Sequence, residues 1–530
     1  MPVTKNNLLL WILPLATLVL CLFVIVERNP FHSSWSDPTF CYLFNGLNIA
    51  IGYFKVGQVD HPGTPLQIFA GACIRFFHLF SSEDDVVKDV VLRPQWYLFR
   101  ICILQSIIIA FCMQVAGWLM YRFSSNIAYG LLIQLTHLIS FQALFFSQNL
   151  MTEFVLVVTG LLLAPFLVAY TFFEKDNGFK KIVGAGLICG TMLAGKISSF
   201  PIILLWLLIV KSWKHFFVFS ILFSLSFLIW TIPAWHASSF FINWLANITT
   251  HTGVYGSGEK GFVIWDQFFS HLRFLLTDNR FFSFTLILIL VVSLQTLFPG
   301  SRKKWLSKSA LRSLLVIAFV SLLQLVMVSK HFGAHYIIPI HLLVVPVWII
   351  ILMDLFQGKI LLFFSNRQLA ALAVMLLGVF LFIKQIMQYN FYPNFEQPSL
   401  QLMGELGERK YDATLFMNTI TAPLPQAALY FGVNYAGDCT GDYKRMLERE
   451  YPPFFYFNVG KDTLTSWTKE IPAAEALNDS LIYYLYSPAS NFDVNQLSWA
   501  NGKIKPDTIL FSYHHPTSGG SAYLLKFKTH

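Results

Sequence analysis

Apolar residues in this chain come in long unbroken runs, with polar residues gathered between them. Soluble elements show a shorter rhythm, alternating in strands or recurring every three to four residues in helices. A helix that crosses a bilayer takes about 20 apolar residues, and the first run, Leu8–Val26, has that length. Further spans read at Trp96–Met120, Ile127–Phe146, Leu150–Phe173, Ile182–Gly195 and Phe200–Val210. The series continues at Phe216–Trp235, Phe281–Phe298, Leu311–Val328, Ile337–Phe356 and Leu369–Met387. The pattern predicts a polytopic α-helical membrane protein with about eleven transmembrane helices, some short enough to be tilted or broken.

Two stretches depart from that rhythm. Pro65–Phe80 is apolar but carries Arg75 and His78, and it reads as an interfacial helix rather than a span. From about Asn390 the pattern becomes that of a soluble domain. "ATLFMN" and "LIYYLYS" read as strands, and "PLPQAALYFG" as a helix ending at Gly432. Their alternation predicts a small C-terminal α/β domain with a partly parallel sheet. The expected domains are therefore a membrane part, 1–388, and a soluble part, 389–530. Within the membrane part, 27–95 forms a first large loop and 236–280 a second. The second contains "THTGVYGSGEKGF", whose glycines mark an exposed, flexible connection.

Composition agrees. Of the 530 residues 55% are hydrophobic and only 12% are charged, with a mean hydropathy of +0.58. Soluble domains carry about 25% charge, and single soluble cores stop growing near 250–300 residues. The net charge of +9 is spread over short loops. "EKDNGFKK", "KSWKH", "SRKKWLSKSALR" and "QGKILLFFSNR" fall on one side of the span count and should face the cytoplasm. The first loop, Ser238–Arg280, the stretch near Lys330–Tyr336 and everything after Met387 then lie on the other side. Nothing resembles a nucleic-acid surface. Most of the seven cysteines lie in apolar runs; Cys41 and Cys73 would pair only in an oxidising compartment. Before Leu8 stands one lysine, and no small-residue cleavage site follows the run, so it reads as a retained anchor.

The chemistry-bearing residues gather where the chain leaves the first span. In "WSDPTFCYLFNGLNIAIGYFKVGQVDHPGTPLQ", Asp37 precedes Pro38 at a helix start and so resembles an N-cap. A carboxylate fixed there could also take a proton from an acceptor hydroxyl. Asp60 and His61 sit in a turn stiffened by Gly63 and two prolines. Turn capping by Asp60 is the plainer alternative to a catalytic role.

This loop resembles that of the GT-C superfamily of polyprenyl-phosphate-sugar-dependent glycosyltransferases. The likeness is to the branch of protein O-mannosyltransferases and the lipid A aminoarabinose transferase. The family's loop opens with an acidic pair and ends in a His-Pro-Pro-Leu-like turn. Here Pro38 occupies the second acidic position, and the turn is His61-Pro62-Gly63-Thr64-Pro65-Leu66. "WYLFR" with Arg100, "SQNLMTEF" with Glu153, "GTMLAGKISSFP" with Lys196 and "KHFGAHYIIP" with Lys330, His335 and Tyr336 follow in the family's order.

The resemblance implies transfer of a hexosyl or pentosyl unit, with inversion, from a polyprenyl-phosphate donor to an acceptor hydroxyl. The acceptor is a glycan, a lipid or a protein. Asp37 matches the family's base, while Asp60, His61 and Glu153 are the other candidate catalytic groups. Arg100, Lys196, Lys330, His335 and Tyr336 are the candidate contacts to lipid phosphate and sugar. Snorkelling is the alternative for Arg100 and Lys330, and belt packing for Tyr336. No resident cofactor is expected, although Asp37, Asp60 and Glu153 could hold a divalent cation if they converged. The expected location is a bacterial inner membrane, with the active site and the C-terminal domain outside the cytoplasm. A transporter or flippase of lipid-linked sugars is the competing reading, since it too would place cations near anionic head groups.

Overall fold

The computed structural model describes residues 5–29, 31–34, 36–173, 178–253, 256, 258–261, 263–294, 306–357, 367–391, 412–416, 425–457, 463–477, 481–487, 504–514 and 521–529. They fall into two compact units. One comprises Met1–Ile25, Val59–Leu66 and Cys102–Phe391; the other comprises Val26–Gln58, Gln67–Ile101 and Tyr392–His530.

Among the described residues, seven helices are long and apolar enough to cross a membrane: Leu8–Glu27, Pro94–Ser124, Glu153–Phe172, Trp213–Thr250, Lys308–Lys330, His335–Leu355 and Gln368–Tyr389. The pair Trp265–Asp278 and Arg280–Ser293, bent by 93°, makes an eighth if it is one broken span. The architecture is that of a multi-pass helical membrane protein. Each of the eleven apolar runs holds helix, but not each is one long helix. Ile127–Phe146 divides into Ile127–Gln134 and Phe141–Phe146. Asn126 caps the first of these, and at the break Ser140 Oγ accepts a hydrogen bond from the Ala143 backbone N–H and so starts the second helix. Phe200–Ile209 has ten residues, which rise ~15 Å against a hydrocarbon core of ~30 Å. The run read as interfacial forms a 14-residue helix, Thr64–Phe77, and is not among the seven.

Close packing in the first unit depends on small residues. The helices Gly178–Gly195 and Trp213–Thr231 approach at Gly190, where an added Cβ would lie 2.5 Å from the Phe223 carbonyl oxygen. Lipid gives no hydrophobic drive between helices, so close backbone contact is what holds such a pair.

The second unit holds a seven-stranded sheet: β1 (Ala413–Phe416), β2 (Phe454–Phe457), β3 (Thr463–Thr465), β4 (Glu470–Pro472), β5 (Tyr483–Ser487), β6 (Ile504–His514) and β7 (Ser521–Thr529). The order is β4-β3-β2-β1-β5-β7-β6. Central β1 runs parallel to β2 and β5, with Thr414 opposite Phe454 and Tyr484; the other pairs are antiparallel. The chain passes from β1 to β2 through the helices Pro425–Val433 and Thr440–Glu450, as a parallel crossover requires. The expected strands "ATLFMN" and "LIYYLYS" supply β1 and β5. Met417 and Asn418 lie outside the described residues, as do 392–411, just past the expected domain boundary.

The first loop, placed with the spans on sequence grounds, packs against these C-terminal elements. Its helix Ser36–Ala50 carries Asn45 and Asn48, whose amides donate to the carbonyls of Tyr435 and Ala436, each at 2.9 Å. Asn45 Oδ1 accepts from the Gly57 amide at 2.6 Å, and Asn48 Oδ1 from the Tyr443 hydroxyl at 2.8 Å. The Tyr451 hydroxyl donates to the Val91 carbonyl at 2.8 Å, at the end of the loop helix Glu83–Leu92.

Candidate functional site

Five of the residues singled out in the sequence meet in the first unit. Glu153 is the first residue of the Glu153–Phe172 helix and is fully buried. Lys196 directly follows the Gly178–Gly195 helix, with extended backbone, and is also buried. Gly195 makes the approach possible: a Cβ there would fall 2.6 Å from a Val155 methyl. The two helix ends therefore close on each other, and Lys196 forms an ion pair with Glu153.

A turn after the Lys308–Lys330 helix brings in His335 and Tyr336. His335 Nε2 stands 3.6 Å from Glu153 Oε1. The Lys196 ammonium lies over the Tyr336 ring, 4.5 Å from its centroid. Gln324 Nε2 donates to the Tyr336 carbonyl at 2.7 Å and fixes the turn. His61 packs edge-on to Tyr336 and to Trp244, at 5.9 and 5.2 Å between centroids. Side chains from the starts of the spans Glu153–Phe172 and His335–Leu355 and from the end of Gly178–Gly195 touch.

The electrostatics are unusual for a protein interior. Burial, and then the charge of Lys196, lower the His61 pKa from 6.5 to about 3. His61 is thus a neutral imidazole near neutral pH, with both ring nitrogens shielded from solvent. An ammonium carries three donors, so Lys196 can satisfy Glu153 and still offer hydrogen bonds to an anionic oxygen. The neutral His61 imidazole and the Tyr336 ring stand beside this pair.

The remaining candidates have other surroundings. Asp60 Oδ1 accepts from the His61 amide at 2.9 Å, the turn-capping role weighed above. Lys330 donates to the Thr249 carbonyl at 2.6 Å, and His331 contacts the carbonyls of Gly253 and Ile248. These two residues hold the C-terminal end of the Ser238–Thr250 helix, which carries Trp244. The glycine-rich stretch after that helix is partly folded back, with a bridge between His251 and Lys260; residues 254, 255, 257 and 262 lie outside the described residues. Asp37 and Arg100 belong to the second unit. Asp37 is half-buried and extended (φ −94°, ψ 125°), as an N-cap is, and the Asp37–Pro38 peptide is cis. Arg100 stacks on Trp96 at 3.6 Å. No disulfide joins Cys41 to Cys73. Among the described residues no three His, Cys, Asp or Glu side chains form a metal-binding group.

Trp244 escaped the sequence reading. Its signal was one aromatic among 14 tryptophans, in a loop read as flexible. No family model matches the chain, and no curated protein matches it.

Proposed function

We propose that this protein is a membrane glycosyltransferase that moves a sugar from a polyprenyl phosphate to an acceptor hydroxyl. The carrying observation is the buried Lys196–Glu153 pair, ringed by His335, Tyr336, His61 and Trp244 where span ends meet. An ionisable group at such depth is costly unless it is paired or functional. Here it is paired and still has donors to spare.

In the proposed reaction the acceptor oxygen bonds to the anomeric carbon as the bond from that carbon to the phosphate oxygen breaks. The bonding electrons leave with the phosphate, whose growing charge Lys196 stabilises. The acceptor proton passes to a carboxylate, for which Asp37 is the candidate on the family resemblance. Glu153 orients Lys196, and the Tyr336 and Trp244 rings offer faces to the sugar. Pro38, where the family has a second acid, leaves acceptor orientation to Asp60 or Glu153. The acceptor is a glycan, a lipid or a protein, and the reaction side is the extracytoplasmic face of a bacterial inner membrane.

A flippase of lipid-linked sugars is the second reading, because the same cationic pocket would hold its cargo. Transporters commonly bind near the membrane midplane on broken helices, whereas Glu153 and Lys196 stand at helix ends, which favours the transferase. The test uses full-length protein in membranes supplied with a polyprenyl-phosphate sugar. Asp37→Asn should abolish transfer while donor binding persists; unchanged turnover removes Asp37 as the base. Donor crossing proteoliposomes without any sugar transfer would favour the flippase.

A further inference from the structure

A second site lies elsewhere in the same unit, at the bend between Trp265–Asp278 and Arg280–Ser293. Arg280 and Lys384 line a small polar pocket there with Asp278, His341, Ser140 and Gln388. Neither cation is in an ion pair among the described residues. Asp278 accepts from Gln142 Nε2 at 2.9 Å. His341 is 3% exposed; its Nδ1 meets Ser140 Oγ at 2.7 Å, while its Nε2 is buried without a hydrogen-bond partner. A buried polar atom left in that state costs free energy unless something binds it.

The pocket measures about 30 Å³, room for about two or three waters at ~10–15 Å³ each. It can take the oxygens of a small head group but not a sugar. An open groove of about 310 Å³ lies beside it, lined by Phe284, Leu288, Trp348, Leu352, Val374 and Leu377 among others. Phe281 joins the two: the Lys384 ammonium sits 4.6 Å from its ring centroid, and Trp348 packs edge-on at 6.0 Å. Three helices that line the groove, Arg280–Ser293, Val344–Gln357 and Arg367–Phe391, also supply residues to the pocket.

We infer that this groove binds one chain of a lipid phosphate whose anionic head group docks on Lys384, Arg280 and the free His341 Nε2. Charge complementarity chooses the occupant. The two cations outnumber Asp278, so an anionic head is favoured over a neutral or zwitterionic one. The apolar lining of the groove favours a lipid over free phosphate. Lys384, within a membrane-crossing helix, then has a ligand rather than a merely snorkelled end. The inference stands apart from the transferase reading, because none of these residues belongs to the Lys196 cluster.

The test measures binding of a long-chain polyprenyl phosphate to full-length protein in neutral detergent. Glu153→Gln and Lys196→Met are both present, so that the first site does not contribute. The same-length polyprenol and inorganic phosphate serve as the other ligands. The phosphate lipid should bind about tenfold or more tightly than the polyprenol, and K384Q with R280Q should remove that difference. L377W should weaken the lipid by filling the groove. Equal affinity for polyprenol and its phosphate, or no effect of K384Q with R280Q, overturns the inference. Inorganic phosphate binding as tightly as the lipid also overturns it. Should these variants fail to fold, a diazirine-bearing polyprenyl phosphate on the wild-type protein decides: label in 281–288 and 373–377 supports the site, and label absent there refutes it.

Discussion

Two buried polar clusters, one in each unit, differ in what they can do. In the second unit Asn45 and Asn48 use neutral amides to grip the backbone of Tyr435, Ala436 and Gly57 and the hydroxyl of Tyr443. Donors and acceptors are matched, and the outcome is adhesion between the first loop and the C-terminal domain. In the first unit Lys196 and Glu153 are an ionised pair beside aromatic rings and a neutral imidazole. Such a pair returns little stability for its desolvation, and the proposed function rests on the ammonium donors that Glu153 leaves over among the described residues. Buried polarity alone therefore does not mark a site. Charge with spare hydrogen-bonding capacity is the feature on which the proposal stands.

The contrast can be broken most severely at Glu153. Glu153→Leu leaves the Lys196 charge buried and alone, and should destabilise the protein by about 3–5 kcal/mol. Adding Lys196→Met should recover most of that loss, as read in thermal unfolding of all four combinations; simple additivity would deny the coupling. Next comes the amide cluster. Asn48→Leu strips partners from the Ala436 carbonyl and the Tyr443 hydroxyl, for about 1–3 kcal/mol per group left unsatisfied. Lipid-phosphate binding should not change. A change in affinity would mean that adhesion and binding are not separate.

A smaller effect is expected on the acid limb. His61 is held neutral when folded, with its pKa lowered from 6.5 to about 3. The unfolded chain binds that proton first, so stability falls as pH drops below about 6.5 and stops falling from this cause near 3. His61→Phe should flatten the limb in that window; an identical limb would contradict the environment assigned to His61. The least effect belongs to Tyr53, which bonds Asp438 in the open. Tyr53→Phe should leave unfolding unchanged within error, and a clear loss would show that this contact matters more than its exposure implies.

Much of the first site was legible because charge is rare in apolar runs. Lys196 and Glu153 stand out against their neighbours, and His61, His335 and Tyr336 follow from turn and motif order. Trp244 was not legible, since an aromatic in a loop gains meaning only when Lys330 and His331 anchor its helix. Lys384 was passed over because one lysine near the end of an apolar run looks like a snorkel. Broken spans hid for a different reason. Hydropathy registers apolar length, while at the Ile127–Phe146 break the second helix starts on a cap at Ser140. In the soluble part the strands "ATLFMN" and "LIYYLYS" were readable, but their neighbours in the sheet were not, because strand pairing joins residues distant in sequence. The asparagines of "FNGLN" read as ordinary helix, with no sign that they hold a domain 390 residues away.

The most direct test of the account is the affinity of the full-length protein for a long-chain polyprenyl phosphate. It is measured with Lys384→Gln and Arg280→Gln present, so that the second site does not contribute, before and after Lys196→Met combined with Glu153→Gln, which removes the pair without leaving a buried charge. The account predicts a loss of about tenfold or more, the worth of a charged hydrogen bond, with unfolding little changed. Equal affinity in a folded double variant would contradict it, because Lys196 would then hold no lipid phosphate.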